Sequence, residues 1–516
     1  MKNYKKLWLF LIVFSFMFAL IGCQVGKEKP GPGPGTDPDD DTKVKCSENM
    51  DQEKCYDPKT FDWELNRSKF DGKKMTIQIN VLPLSEHDPF DNDFKSTRKT
   101  MLQEHQTSVE SAYNVIIKYK AYPEDAPWGP TRVQWISDAF TANIADRGHI
   151  FLIDTNWIST LVTTNSLAEL QNTRQNKGYY SDLIKFKQSD SYVKMASVNN
   201  KIYAYLTGDA RPDHFLYYNQ DLIDEYGLAD PASLWNEGKW DWTAFTNLLE
   251  TAQNKFSTSE KTMYPLAGVY AEFVQGLVSA RGGMFIDFAR GQAMMTNPTV
   301  VQAFTDLQEL YNRGFIEENS SADANNEFKT GNALITSGEL WFVKSDMRFG
   351  TNCNFTISAV PYPTTNGDAE SKANFKVPLG FSAGFAIRPV TNGENGINSG
   401  ILLNILDDLM RGLKPETVIT GATSAIRYQK WLEDRFEKEA TIEAIMSVQN
   451  SKFHQLELLQ TVSMKVGNGS HYTGDAFYPF AGTLVKNTSG ELSPQAELTR
   501  IQPFYQSALE FVLGQQ

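Results

Sequence analysis

The chain reads as an α/β protein, and three observations carry that reading. Strand and helix signals alternate from Lys73 onward. Met75 to Leu82 (MTIQINVL) alternates apolar and polar residues as a strand does, Lys99 to Tyr113 has helical character, and Asn114 to Ala121 (NVIIKYKA) returns to strand. Such alternation argues stacked α and β layers. Gly148 to Ile153 (GHIFLI) is a short apolar run of the kind that fills a parallel strand covered on both faces. About 490 residues follow the N-terminal leader, enough to build two large lobes. Later helices announce themselves by their caps. Asp241-Trp242-Thr243 opens one, with Phe245, Leu248, Leu249 and Ala252 on its inner face. Asn297-Pro298 supplies a cap and a first-turn proline, Val300, Phe304, Leu307 and Tyr311 form the inner stripe, and Gly314 stops the helix. Ser493-Pro494 opens the last helix.

The N-terminus is a leader. Lys2, Lys5 and Lys6 precede an apolar run from Leu7 to Ile21 broken only by Ser15, and Leu20-Ile21-Gly22-Cys23 closes it. A basic start, a short apolar stretch and a small residue before the cut make residues 1–22 a secretory signal. The run is shorter than the ~20 residues that span a bilayer. The cysteine after the small residue resembles a bacterial lipoprotein signal, which implies cleavage before Cys23 and lipid on that residue. Lys27 to Asp41 (KEKPGPGPGTDPDDD) follows, with nothing to build a core, so 23–72 is expected to be a flexible tether. Extended, Gln24 to Thr42 could reach roughly 60 Å.

Net charge is −13, with no dense Lys/Arg cluster, which disfavours nucleic-acid binding. Besides Cys23 the cysteines are Cys46, Cys55 and Cys353. An exported location permits a Cys46–Cys55 disulfide, and Cys353 reads as a small buried hydrophobe. No Cys/His set has zinc spacing and no cofactor fingerprint appears, so the expectation is no metal and no cofactor.

Six segments, in order, resemble a known family. They are Ile150 to Leu170 (IFLIDTNWISTLVTTNSLAEL), Lys201 to Leu222 (KIYAYLTGDARPDHFLYYNQDL), Gly227 to Phe245 (GLADPASLWNEGKWDWTAF), Gly331 to Trp341 (GNALITSGELW), Pro378 to Ile387 (PLGFSAGFAI) and Gly490 to Leu498 (GELSPQAEL). Together they are similar to the family 1 extracellular solute-binding proteins of bacterial ABC sugar importers, the maltose-binding-protein group, in lipoprotein form. The resemblance runs from about Met75 to the C-terminus, and departs from the family in 172–200 and 407–472. It implies a two-lobed periplasmic-binding-protein-like fold of class II type, with three chain crossings and the ligand between the lobes. Lobe 1 would comprise 73–206 and 379–463, and lobe 2 would comprise 207–378 and 464–516. It also implies a carbohydrate ligand, permease subunits as partners, and a place on the outer face of the cell membrane.

A pyranose offers flat C–H patches to aromatic faces and a ring of hydroxyls to Asp, Asn, Arg and Glu. On that basis the resemblance points to Asp154, Asn156 and Trp157 after the GHIFLI strand, where parallel sheets present ligand groups. It points also to Asp209 and Arg211 at the first crossing, Glu339 and Trp341, Phe381 and Ser382 at the returning strand, and Tyr478. Ser85, Glu86 and His87 follow the first strand in a similar position. A helix cap is the competing role for Asp154, and core packing for Trp157. Trp128, Trp135, Trp235, Trp240 and Trp242 are read as packing residues.

An enzyme is the competing class. Gly380-Phe381-Ser382-Ala383-Gly384 fits the G-x-S-x-G nucleophile elbow of α/β hydrolases, but that elbow needs a helix next, and Pro389 opposes one. A glycosidase needs two carboxylates at fixed separation, and the sequence singles out no pair. Tyr179-Tyr180 and Tyr217-Tyr218 could suggest a ferric site, but the second pair is accounted for by a strand. An oligopeptide or phosphodiester is the alternative ligand.

Overall fold

In a computed structural model of the full chain, the described residues are 74–94, 99–141, 147–170, 194–206, 211–317, 326–343, 348–349, 353–380, 383–390, 397–412, 424–470, 472–487 and 492–514. Cys23, the tether, Cys46, Cys55, Tyr179-Tyr180, Asp209, Phe381 and Ser382 lie outside them.

Two sheets organise the rest. The first contains β1 (Met75–Val81), β2 (Val115–Ala121), β3 (Ile150–Asp154), β4 (Ala204–Leu206) and, much later in the chain, Ala383–Ile387. Their spatial order is β2, β1, β3, Ala383–Ile387, β4. The first three are parallel, and the returning strand is antiparallel to both of its neighbours. β3 is buried at every position, which is why it reads as an unbroken apolar run rather than an alternating one. Between β1 and β2 lies α1 (Lys99–Tyr113), which buries Leu102, His105, Gln106, Val109 and Tyr113 at helical spacing. His105 Nε2 lies 2.7 Å from the Asp408 carbonyl oxygen, and the Tyr113 hydroxyl donates to Asp408 Oδ2 at 2.5 Å, tying this helix to one 300 residues downstream.

The second sheet contains β5 (His214–Asn219), β6 (Tyr264–Leu266), β7 (Ala333–Glu339) and β8 (Ile357–Val360). Their order is β8, β5, β7, β6. β5 and β7 are buried along their whole length, so each needs cover on both faces. Part of that cover is α2 (Tyr270–Ala280), in which every residue is buried. Gly276 of this helix lets it lie flat on a ring: a Cβ there would meet Tyr362 at 2.1 Å. The predicted caps form. Asp241 accepts from the Ala244 N–H, Asn297 from the Thr299 N–H and Ser493 from the Ala496 N–H. The helix Pro298–Asn312 buries Val300, Ala303, Phe304, Leu307 and Leu310, while Tyr311 packs only partly buried against Tyr270. The stripe is therefore tilted one position from the predicted one.

Three stretches of chain run side by side where the path passes from one sheet to the other. Pro212 bridges Leu379, and Val377-Pro378 pairs in parallel with His454-Gln455. Gly380 donates its N–H to the Arg211 carbonyl, and Leu379 donates to that of Gln455. Gly380 has no room for a side chain, since a Cβ would come within 2.3 Å of Asp213 Oδ2.

Two assignments change. The helix Glu439–Ser447, grouped with lobe 1 from the sequence, packs on the second sheet: Thr441 Oγ1 accepts from the Ala359 N–H of β8, and Trp235 donates to Ser447 Oγ. The expected boundary at 463 falls inside the helix Leu459–Val466, which packs on the segment 155–163 after β3. Both shifts fall in the stretch where the sequence departs from the family pattern. Among the described residues no helix is long and apolar enough to cross a membrane. Cys353 is partly buried, and burial pushes its thiol up to about 11, keeping it protonated.

Candidate ligand-binding site

A cluster of buried polar side chains forms at the ends of β5 and β7. The antiparallel register places His214, the first residue of β5, opposite Glu339, the last of β7. Glu272, in the first turn of α2, points at the same place. His214 Nε2 lies 3.1 Å from Glu272 Oε2 and 3.9 Å from Glu339 Oε1. The outer oxygens are held separately. The Tyr478 hydroxyl donates to Glu272 Oε1 at 2.5 Å, and the Trp341 indole N–H donates to Glu339 Oε2. Asp213 Oδ1 accepts from the Leu340 N–H at 2.7 Å. Glu457 accepts from the N–H groups of Phe285 and Leu459, capping the helix Leu459–Val466.

Aromatic faces flank this floor. Trp341 is 40% exposed, and the Arg348 guanidinium lies 5.6 Å from its ring. Tyr472 is 52% exposed and packs 5.8 Å from Tyr478. The helix Leu459–Val466 connects the floor to the first sheet. Its Gln460 donates to Gln275 of α2, and its Thr461 hydroxyl donates to Asn156 Oδ1 at 3.0 Å. Several buried polar atoms here have no hydrogen-bond partner: both ring nitrogens of His214, Glu272 Oε2, Asn156 Nδ2 and Gln460 Oε1. Orphaned groups of this kind are rare in native interiors and concentrate where a ligand, ion or water completes the set.

Burial dominates the electrostatics. It pushes Asp154 and Glu457 each up to about 7, and Asp213 up to about 6. Glu339 is raised well above the carboxylate range, first by burial and then by the charges of Glu272 and Asp213. Burial pulls His214 down, but the Glu272 carboxylate beside it and the charges of Asp213 and Glu457 outweigh this, and the net shift is upward. For Glu272 burial is likewise outweighed, by His214, Tyr478 and Arg348, and the net shift is downward.

A sign follows for stability. Between about pH 4 and pH 7 the folded protein holds protons on Asp154, Asp213, Glu339 and Glu457 that the unfolded chain has released. The unfolding free energy therefore falls as pH rises through that window. The raised His214 acts in the same direction, and the depressed Glu272 opposes it only below its ordinary range. The ligand-free protein is expected to melt at least about 3 °C higher near pH 5.5 than near pH 8, with Glu457→Gln flattening the slope. Equal melting temperatures at the two pH values would mean that these carboxyls are ionised in the fold.

Of the residues singled out in the sequence, the structure brings Glu339, Trp341 and Tyr478 together. Asp154 and Asn156 stand at the end of β3, both buried. Asp154 Oδ1 accepts from the Asn156 N–H, so it takes the capping role, and its charge still reaches Glu339. Trp157 does not present its face. It is 1% exposed, and Trp128 covers it at a ring distance of 4.5 Å. Trp128, read as packing, is instead the exposed indole at this point, with 51% of its surface free. Arg211 packs over Tyr428 at 4.2 Å, beside the crossing. Ser85, Glu86 and His87 form a short helix after β1, with His87 edge-on to Phe385. Trp135 packs on Tyr122 and Phe151, Trp240 donates to the Pro361 carbonyl, and Trp242 lies under Arg281. Residues 383–387 are a strand, which is not the helix a nucleophile elbow needs, and Tyr217 and Tyr218 are buried inside β5.

Sequence reasoning missed His214, Glu272, Asp213, Glu457 and Tyr472. Glu272 did carry a signal: it is the one charged residue in a mostly apolar helix (YAEFVQGLVSA), and an acid in such a setting needs a partner.

No curated protein matches the sequence. Several solved structures share its fold. The cyclic α-maltosyl-1,6-maltose binding protein of Arthrobacter globiformis superposes with a TM-score of 0.55 at 14% identity, covering 85% of this chain and 100% of that one. UgpB from Mycobacterium tuberculosis, in complex with glycerophosphocholine, does so with 0.55 at 17% identity, covering 84% and 98%. The GacH receptor of Streptomyces glaucescens, solved unliganded and with acarbose, gives 0.50 at 14%, covering 85% and 99%. The profile of bacterial extracellular solute-binding proteins matches residues 130–393, more than half of the chain, from the helix before β3 to the strand that returns to the first sheet. That stretch holds both sheets' central strands and the acids gathered at their ends, and with it the chain belongs to the bacterial extracellular solute-binding proteins.

Proposed function

We propose that this protein is a non-catalytic carbohydrate-binding subunit, lipid-anchored through Cys23 at the outer face of the cell membrane. It delivers an oligosaccharide to the permease of an ABC importer. One observation carries the carbohydrate reading: the partly exposed Trp341 indole donates its N–H to Glu339 and so stands beside the buried carboxylates. That combination matches a sugar, which has an apolar face and a polar rim. The A. globiformis protein is named for binding cyclic α-maltosyl-1,6-maltose and the S. glaucescens receptor was solved with acarbose, which supports the reading. The three adjacent chain stretches at 211–213, 377–380 and 454–455 would supply the hinge about which two lobes close.

The test is a panel of oligosaccharides measured by calorimetry and indole fluorescence. Trp341→Ala is expected to weaken binding of the active sugar at least about tenfold, since stacking geometry and lost apolar area together exceed the ~1.4 kcal/mol of one decade. The melting temperature should hold, because the ring is half out in solvent. Unchanged affinity would move the binding site elsewhere, and release of product from chromogenic glycosides or esters would replace binding with catalysis. A second reading has its own support: aromatic faces beside carboxylates also suit a quaternary ammonium, and UgpB was solved with glycerophosphocholine. That compound belongs in the panel.

A further inference from the structure

His214, Glu272 and Glu339 converge from three different elements, and one ligand atom from each lies within 4.8 Å of the others. None of the three side chains is more than 4% exposed. Their arrangement is fixed twice over. The strand register sets His214 against Glu339. Tyr478 and Trp341 then hold the outer oxygens of Glu272 and Glu339, so that Glu272 Oε2 and Glu339 Oε1 are turned toward His214 Nε2. Partners that orient carboxylates in this way are the usual outer shell of a metal centre.

A simple ion pair does not account for the geometry. An imidazolium held by two carboxylates would place an N–H on an oxygen. Here Nε2 approaches Glu272 Oε2 to 3.1 Å but not in line for a well-formed hydrogen bond, and Nδ1 makes none. A tetrahedral ion bound at about 2.0–2.2 Å would set its ligand atoms roughly 3.3–3.6 Å apart. The observed separations of 3.1 and 3.9 Å bracket that spacing.

We infer that His214, Glu272 and Glu339 form a site for one divalent transition-metal ion of the zinc or manganese class. Imidazole with two carboxylates and no thiolate suits those ions, whereas calcium takes six to eight oxygens. Binding the ion displaces the protons that His214 and Glu339 hold in the ion-free fold, so that it meets an imidazole lone pair and two carboxylates. Three protein ligands leave a position open to an incoming group. That this group is a pair of sugar hydroxyls rests on the carbohydrate reading, but the metal site itself does not.

The test uses the tag-free full chain in detergent, stripped with chelator and then dialysed against zinc, manganese or calcium, with bound metal counted by elemental mass spectrometry. About one zinc or manganese per chain is expected, and no calcium. His214→Ala and Glu339→Gln should abolish the stoichiometric ion, and Tyr478→Phe should weaken it at least about tenfold by freeing Glu272. Cobalt loaded in place of zinc should give a visible absorption band that His214→Ala removes. Absence of stoichiometric zinc or manganese overturns the site. So does equal loading of wild type and His214→Ala, and if that variant does not fold, full-strength loading of Tyr478→Phe does so. Sugar binding of unchanged affinity in chelator, with no metal bound, overturns the assignment of sugar hydroxyls to the ion's open position and leaves the carbohydrate reading intact.

Discussion

Trp157→Ala is expected to lower the unfolding free energy by about 3–5 kcal/mol, the range for removing a large buried aromatic. The indole is 1% exposed, lies under Trp128, and sits at the start of the helix Ile158–Thr163. That position joins the end of β3 to the helix Leu459–Val466, so the cavity opens where the first sheet meets the later part of the chain. Neighbouring Asn156, hydrogen-bonded to Thr461, limits how far the gap can collapse. Denaturant unfolding should show a lower midpoint at unchanged slope. A variant as stable as the wild type but with weakened ligand affinity would return Trp157 to the ligand's side.

Cys23→Ser is expected to move the protein from the membrane fraction to the soluble fraction, or to leave its leader uncut. Lipidated anchoring adds about 0.8 kcal/mol per buried CH₂, and one acyl chain binds only reversibly while two or more hold. No described helix can substitute for that anchor. With net charge −13 the chain offers an anionic membrane surface no compensating attraction. Identical fractionation and gel migration of mutant and wild type would exclude Cys23 as the lipidated residue.

Much of the fold was legible because it is written in local signals. The alternation in MTIQINVL, the apolar run IFLI and the caps at Asp241, Asn297 and Ser493 are decided within a few residues, and each formed where predicted. The site was only partly legible. Glu339, Trp341 and Tyr478 were found because they fall in or near segments that resemble a family. His214 and Asp213 lay inside such a segment too, but their importance depends on register, which a single strand does not reveal. Trp128 and Trp157 differ in exposure from the sequence reading for a similar reason. Both are tryptophans near the end of β3, and only packing determines which ring covers the other.

By itself the sequence determined the α/β layering of the chain and the positions of its helix ends. These follow from composition, short periodicities and backbone capping, all of them local. The tertiary structure alone decided that a histidine and two glutamates from residues 214, 272 and 339 share one buried point. It also decided that Glu439–Ser447 joins the second sheet rather than the first. Both depend on contacts between residues far apart in the chain, whose pairing is set by strand register and by which apolar faces remain to be covered.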